Sequence, residues 1–158
     1  MGHQTDTYLR RENAKVEFKA KDKTSDYESP DSVQADLLET FDYEYAGKKI
    51  SIVSETSEFT SVCPYSGLPD FGTLRIEYVP REKILELRSL KYYLLAYRNV
   101  GVFYEHLVNR ILDDLVSACS PEQMTVTLQA SPRGGIRTTV TARHPRRTPE
   151  ESESGEGA

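Results

Sequence analysis

Gly72-Thr73-Leu74-Arg75-Ile76-Glu77-Tyr78-Val79 alternates apolar and polar side chains without interruption. Leu74, Ile76 and Tyr78 share one face and Arg75 and Glu77 the other, the pattern of a half-buried antiparallel strand. Pro80 ends it, because proline lacks the N–H that a ladder needs. Such a strand requires antiparallel neighbours, and the chain offers them on both sides. Upstream, Lys48–Val53 alternates with Ile50 and Ile52 on one face and is expected to be a strand. Downstream, Met124, Val126, Leu128 and Ala130 alternate with polar residues, as do Ile136, Thr138, Val140 and Ala142. Between these runs Ser131-Pro132-Arg133-Gly134-Gly135 supplies a hairpin connection whose glycines can take positive φ.

Two amphipathic stretches separate the strand pairs. In Leu85–Arg98, Leu87, Leu90, Leu94 and Tyr97 recur at spacings of three and four, which predicts a helix. Asn99-Val100-Gly101 interrupts it. Glu105–Ser120 repeats the pattern with Leu107, Val108, Ile111, Leu112, Leu115, Val116 and Cys119, so Cys119 is expected in the core. The order is β-β-α-α-β-β. It predicts an α+β domain, a four-stranded antiparallel sheet with both helices on one face. The other face stays bare and the edge strands open. Joining sheets edge to edge around a barrel would resolve both problems.

The 158 residues suit one domain with tails. Residues 1–40 are polar and mixed in charge, and are expected to form a flexible arm. Within it a short strand is expected near Ala14–Phe18, and a turn or two of helix in Ser32–Thr40 with Val33, Leu37 and Phe41 on one side. The folded domain is expected over 41–143. From His144 to the end the chain is rich in Pro, Arg, Glu, Ser and Gly and is expected to be a disordered tail, 144–158. A net charge of −5 gives no field favouring nucleic acid or an anionic membrane. No apolar run is long enough for a membrane span, and Met1-Gly2-His3-Gln4-Thr5-Asp6 lacks the apolar core of a signal peptide. Two cysteines make neither a disulfide framework nor a C-x-x-C site, so a reducing compartment, the cytoplasm, is the simplest expectation. Three scattered histidines, His3, His106 and His144, do not make a metal centre.

The chemistry centres on Glu58-Phe59-Thr60-Ser61-Val62-Cys63-Pro64-Tyr65-Ser66-Gly67-Leu68-Pro69-Asp70-Phe71-Gly72. Pro64, Gly67, Pro69 and Gly72 punctuate it, which predicts a loop feeding the strand. A thiol and a carboxylate seven residues apart on a shaped loop could converge on one substrate. Cysteine is a strong nucleophile as its thiolate, and a nearby acid can manage the proton. Taken alone, Cys63 fits a small core residue and Asp70 a turn residue equally well.

Several stretches together change that balance. Glu58–Pro64 is followed by Gly67-Leu68-Pro69-Asp70-Phe71, then by Glu86-Leu87-Arg88-Ser89-Leu90-Lys91-Tyr92-Tyr93 and Tyr97-Arg98-Asn99. Phe103-Tyr104-Glu105 and Pro132-Arg133-Gly134-Gly135-Ile136 complete the set. In order and spacing these resemble the NADPH-dependent 7-cyano-7-deazaguanine reductases, the nitrile reductases of queuosine biosynthesis, in their short single-module form. The resemblance runs from about residue 40 to 143 and leaves the tails outside. It implies the tunnelling fold, assembled as ring barrels into a homo-oligomer, a decamer of two pentamers with sites between subunits. It implies an oxidoreductase of tRNA modification that acts on the free base rather than on nucleic acid and uses NADPH to turn the nitrile into an aminomethyl group.

The same resemblance assigns roles. Cys63 would add to the nitrile as a thioimide, and Asp70 would handle the proton. Glu105 would accept hydrogen bonds from the guanine-like edge, with Leu85, Glu86, Leu87 and Tyr104 also contacting substrate. Arg88, Lys91 and Arg133 would meet the cofactor; on their own residues, Arg88 and Lys91 fit a solvated helix face and Arg133 a turn. No metal is implied. Three departures matter. The family usually has histidine where this chain has Tyr104, lysine where it has Arg88, and often a polar residue where it has Val100. Three other readings stay open at this point. They are an amidating relative that works on a nitrile-bearing tRNA base without NADPH, a deazapurine-binding member without turnover, and a metal-dependent tunnelling-fold enzyme.

Overall fold

The computed structural model describes residues 26–146. Its centre is a four-stranded antiparallel sheet. With β1 (Thr40–Asp42) counted first, the sheet strands are β2 (Ile52–Val62), β3 (Pro69–Val79), β5 (Gln123–Ala130) and β6 (Thr139–His144), in the order β2-β3-β5-β6. The intervening β4 (Lys83–Leu85) pairs with β1 in a separate two-stranded ribbon. Helices α1 (Leu87–Leu95) and α2 (Tyr104–Cys119) lie on one face: α2 crosses β5 and β6, while α1 and the 3-10 turn Ala96–Asn99 cover β2. The predicted β-β-α-α-β-β core is present, with one small ribbon added.

The register explains the core. Leu74, Ile76 and Tyr78 of β3 stand opposite Leu128, Val126 and Met124 of β5, and all six are buried. They meet Leu107, Ile111 and Leu115 of α2 and Leu90 and Tyr93 of α1. Cys119 is buried there too, as its place on the apolar stripe requires. The opposite face carries Arg75, Glu77, Thr127 and Thr141, with Arg75 bonded to Glu77 at 3.2 Å and the two threonine hydroxyls 3.2 Å apart. One face is dry and one wet, as the alternation of β3 dictates. Ile111→Ala removes a fully buried side chain from the middle of α2, and is expected to cost about 3 kcal/mol in urea unfolding.

Several boundaries differ from the sequence reading. The first long strand starts at Ile52 rather than Lys48, and Ile50 is exposed. It runs on to Val62, so Glu58–Val62 is strand and only the turn around Cys63–Leu68 is loop. No breaker precedes Pro64, and Pro69 is tolerated as the first residue of β3. Helix α1 begins at Leu87, not Leu85. Leu85 belongs to β4, and Glu86 caps the helix by accepting from the backbone N–H of Arg88 and Ser89 at 2.8 and 2.7 Å. Leu87 consequently points outward, 65% exposed, instead of joining the stripe. The last strand starts at Thr139 rather than Ile136, which sits exposed at the hairpin tip where Gly134 and Gly135 take positive φ.

The expected helical turns of Ser32–Thr40 are two short 3-10 turns, Pro30–Ser32 and Ala35–Leu37, followed by β1. Of Val33, Leu37 and Phe41 only Val33 is buried. Residues 26–40 lie against the domain: Glu28 donates to Asn99 O and accepts from Gly101 N, and Glu39 accepts from Glu86 N. The expected strand near Ala14–Phe18 and the tail beyond residue 146 fall outside the described residues.

Candidate active site

The strand β2 reaches the site with a changed parity. Its register with β3 runs Ser54↔Ile76 and Thr56↔Leu74, then shifts so that Phe59 faces Gly72 and Ser61 faces Asp70. One extra residue in β2 makes a bulge, and a bulge moves every following side chain to the other face. Phe59 and Ser61 therefore turn toward the helices and are buried, and Asp70 opposite them is buried as well. On its other side Val62 is paired with the loop before α2: it donates to Val100 O at 2.9 Å and accepts from Val102 N at 3.1 Å. The turn that follows is closed by Cys63 N donating to Leu68 O and Gly67 N donating to Cys63 O.

Cys63 is partly buried at this turn. Desolvation pushes its thiol up. Hydrogen bonds from the Ser66 hydroxyl, the Ser66 and Tyr65 backbone N–H groups and the Arg133 guanidinium outweigh that and hold it below the ordinary thiol value. Cys119 has no such donors, and burial raises it to about 11. The two thiols thus sit in opposite surroundings, one favouring the thiolate and one favouring the neutral thiol.

Arg133 comes from the β5–β6 hairpin tip. Its guanidinium donates to Pro69 O at 3.1 Å and forms an ion pair with Asp70 Oδ1, without the alignment of a hydrogen bond. Tyr104, first residue of α2, adds its hydroxyl to this group. Burial and then the Asp70 carboxylate raise its pKa to about 12, against a smaller opposing pull from Arg133. Cys63, Asp70, Tyr104 and Arg133 are brought together from four separate places in the chain. Ser61 joins them across the strand from Asp70, buried with a hydroxyl that lacks a hydrogen-bond partner among the described residues. The sequence reading passed over Ser61. Its position two residues before Cys63 was the available signal.

The α1 residues form a second group. A cleft of about 210 Å³ lies between β2 and α1, lined by Lys91, Arg98, Leu87, Leu94, Glu55 and Glu58 among others, but not by Cys63 or Asp70. Arg88 is exposed beside the Tyr92 ring, 5.9 Å from its centroid. Neither Arg88 nor Lys91 makes an ion pair among the described residues. Leu85 is buried and donates its N–H to the Tyr78 hydroxyl, and Glu86 donates its own to Glu39 O. The backbone donors of Leu85 and Glu86 are thus engaged internally. Glu105 is exposed in the first turn of α2. Among the described residues no group of three His, Cys, Asp or Glu side chains could hold a metal ion, and no helix is long and apolar enough to cross a membrane.

Comparison with known proteins fits this arrangement. The sequence profile described as QueF-like protein matches residues 69–149, starting just after the Cys63 turn. The NADPH-dependent 7-cyano-7-deazaguanine reductase of Chlorobium phaeovibrioides is 53% identical over 112 residues, 71% of this chain and 97% of that one. The chain belongs to the 7-cyano-7-deazaguanine reductase family. The enzyme of the same name from Caldanaerobacter subterraneus is 45% identical over 126 residues, 80% of this chain and 94% of its own. The solved apo structure of an archaeosine synthase QueF-Like matches with a TM-score of 0.57 at 24% identity, covering 65% of this chain and 99% of the other. At that identity it speaks for the fold alone.

Proposed function

We propose that the protein reduces the nitrile of 7-cyano-7-deazaguanine to the aminomethyl group of 7-aminomethyl-7-deazaguanine at the expense of NADPH, through a thioimide on Cys63. The observation that carries this reading is the lowered Cys63 thiol beside the buried Asp70 carboxyl, in a member of the reductase family. The Cys63 sulfur adds to the electrophilic nitrile carbon, forming a C–S bond. One π pair of the triple bond moves to nitrogen, which takes the proton that the Asp70 carboxylate has received from the Cys63 thiol. NADPH, when bound, supplies hydride, and a four-electron reduction needs two equivalents. Cys63 leaves as thiolate after the first reduction. Asp70 handles the second proton at the amine nitrogen. Glu105, at the α2 N-terminus where negative charge is favoured, would accept from the amino and ring N–H groups of the base.

The residues present fit a phosphate-bearing cofactor in one particular way. The first backbone N–H groups of α1 are already taken by the Glu86 carboxylate, so the helix terminus is closed to an anion. Binding therefore falls to the exposed side-chain cations, Lys91 and Arg88, with the apolar wall of Leu87 and Leu94 beside Lys91. Arg133 is the third candidate, and engaging a phosphate would take it from Asp70. With the backbone donors of Leu85 and Glu86 occupied, contact between that segment and the substrate falls to the exposed Leu87.

The cleft that the α1 residues line does not include Cys63 or Asp70. A ring assembly would let α1 of one subunit complete the site of the next. The exposed Phe71, Leu87, Phe103 and Ile136, the bare polar sheet face and the open sheet edges support it. Native mass spectrometry is expected to show ten chains. The test of function is NADPH oxidation with purified protein and 7-cyano-7-deazaguanine. Two NADPH consumed per substrate supports the reading, and no oxidation by a folded assembly would overturn it. In the same assay Lys91→Ala is expected to raise KM for NADPH about tenfold, with a smaller change in kcat.

A further inference from the structure

The geometry points to Tyr27 as a positioning residue that straps the Cys63 turn to the loop feeding α2. Three independent contacts carry this. The Tyr27 hydroxyl donates to Pro64 O, the carbonyl next to Cys63, at 3.1 Å. The Tyr27 ring lies directly over Gly101: a Cβ built there would stand 2.1 Å from ring Cδ2 and 2.3 Å from Cε2. The neighbouring Glu28 then bridges the same loop, donating to Asn99 O at 2.8 Å and accepting from Gly101 N at 2.9 Å.

Gly101 does not take positive φ, so its backbone suits other residues. What excludes them is the Tyr27 ring, which needs a residue without a Cβ beneath it. The loop so clamped pairs with Val62 and leads within three and four residues to Tyr104 and Glu105. Tyr27 thereby touches both halves of the site from outside it, holding the nucleophile's turn at a fixed distance from the α2 N-terminus. Glu28 is held in turn by Ser32, whose hydroxyl donates to its carboxylate at 3.1 Å, and the following turn is pinned by the Asp31–Arg110 pair at 3.3 Å. The segment is anchored immediately C-terminal to the ring.

This inference rests on Cys63 being the nucleophile, so its test reads the thiol directly. The full chain and Tyr27→Phe, which keeps the ring and loses only the bond to Pro64, are compared for the rate and pH profile of Cys63 alkylation by iodoacetamide. The rate of adduct formation with 7-cyano-7-deazaguanine alone is followed alongside. Tyr27→Phe is expected to change the alkylation profile and slow the adduct by about three- to tenfold, with the melting temperature and the KM for NADPH unchanged. Gly101→Ala is expected to slow the adduct further, yet to add little in a Tyr27→Ala background, where the ring it displaces is gone. Wild-type profiles and adduct rates in Tyr27→Phe would overturn the strap. So would a Gly101→Ala penalty undiminished in the Tyr27→Ala background. If wild type itself forms no adduct while alkylation responds to Tyr27→Phe, the strap stands and the functional assignment falls.

Discussion

Cys63→Ala is expected to lower NADPH oxidation by at least about 10⁴-fold, the scale on which removing a covalent nucleophile acts. Intact-mass measurement separates this from a folding defect. Wild-type protein incubated with 7-cyano-7-deazaguanine and no cofactor should gain the mass of one substrate, since addition to a nitrile expels nothing. The variant should gain none. Cys119→Ala should leave the adduct intact, because that thiol is buried on α2 and raised to about 11. Turnover persisting in Cys63→Ala would end the covalent mechanism. The pH dependence follows from the direction of the shift. Thiolate is the reacting form, and the folded-state pKa of Cys63 lies below the ordinary thiol value, so alkylation should reach half its maximum at a lower pH than for a free cysteine. Ser66→Ala removes a hydrogen bond that favours the thiolate and should move that midpoint up.

Much of the fold was written in the sequence because the sheet has one dry face. Strict alternation in β3 and β5 fixed which residues face the helices, and the α2 stripe fixed the face it turns to the sheet. The β2 strand was harder. After Val53 the run Ser54-Glu55-Thr56-Ser57-Glu58 has no apolar side chain to continue the alternation, and at the bulge between Thr56 and Phe59 the pattern then changes parity. Leu87 misled for another reason. It sits at the right spacing for the α1 stripe, but the Glu86 cap starts the helix there, and in that first turn Leu87 stays 65% exposed at the cleft facing β2. Periodicity gives a helix its face but not its first residue.

The site was legible only through motifs. Nothing local says that Arg133 meets Asp70, 63 positions earlier, or that Tyr104 comes near enough to feel both charges. Those contacts exist because β3 pairs with β5 and the β5–β6 hairpin tip folds back over the start of β3. Tyr27 lies in a stretch read as an arm and gave no signal at all; only its fit over Gly101 marks it. The Tyr104 departure also acquires a physical meaning. With its pKa raised to about 12, this tyrosine stays neutral around pH 7. It is suited to donate a hydrogen bond to Asp70 and not to carry a proton as a histidine would. In the proposed mechanism, proton handling therefore concentrates on Asp70.

That concentration sets the last expectation. Asp70→Asn keeps the shape of the side chain and a hydrogen-bonding group opposite Ser61, but has no acidic proton. Thioimide formation and NADPH oxidation should each fall by about 10²–10⁴-fold, the usual worth of a positioned general acid. The same change removes the carboxylate that pairs with Arg133. A guanidinium released from Asp70 is free to favour the neighbouring thiolate, so the Cys63 alkylation midpoint should fall or hold while turnover collapses. A purely structural role predicts otherwise: losing the buried ion pair would disorder the turn, and alkylation, melting temperature and turnover would change together. Stopped-flow measurement of adduct formation, beside the iodoacetamide profile, distinguishes the two. Near-normal adduct formation in Asp70→Asn would remove Asp70 from the proton path and leave Tyr104 or solvent to protonate the nitrile nitrogen.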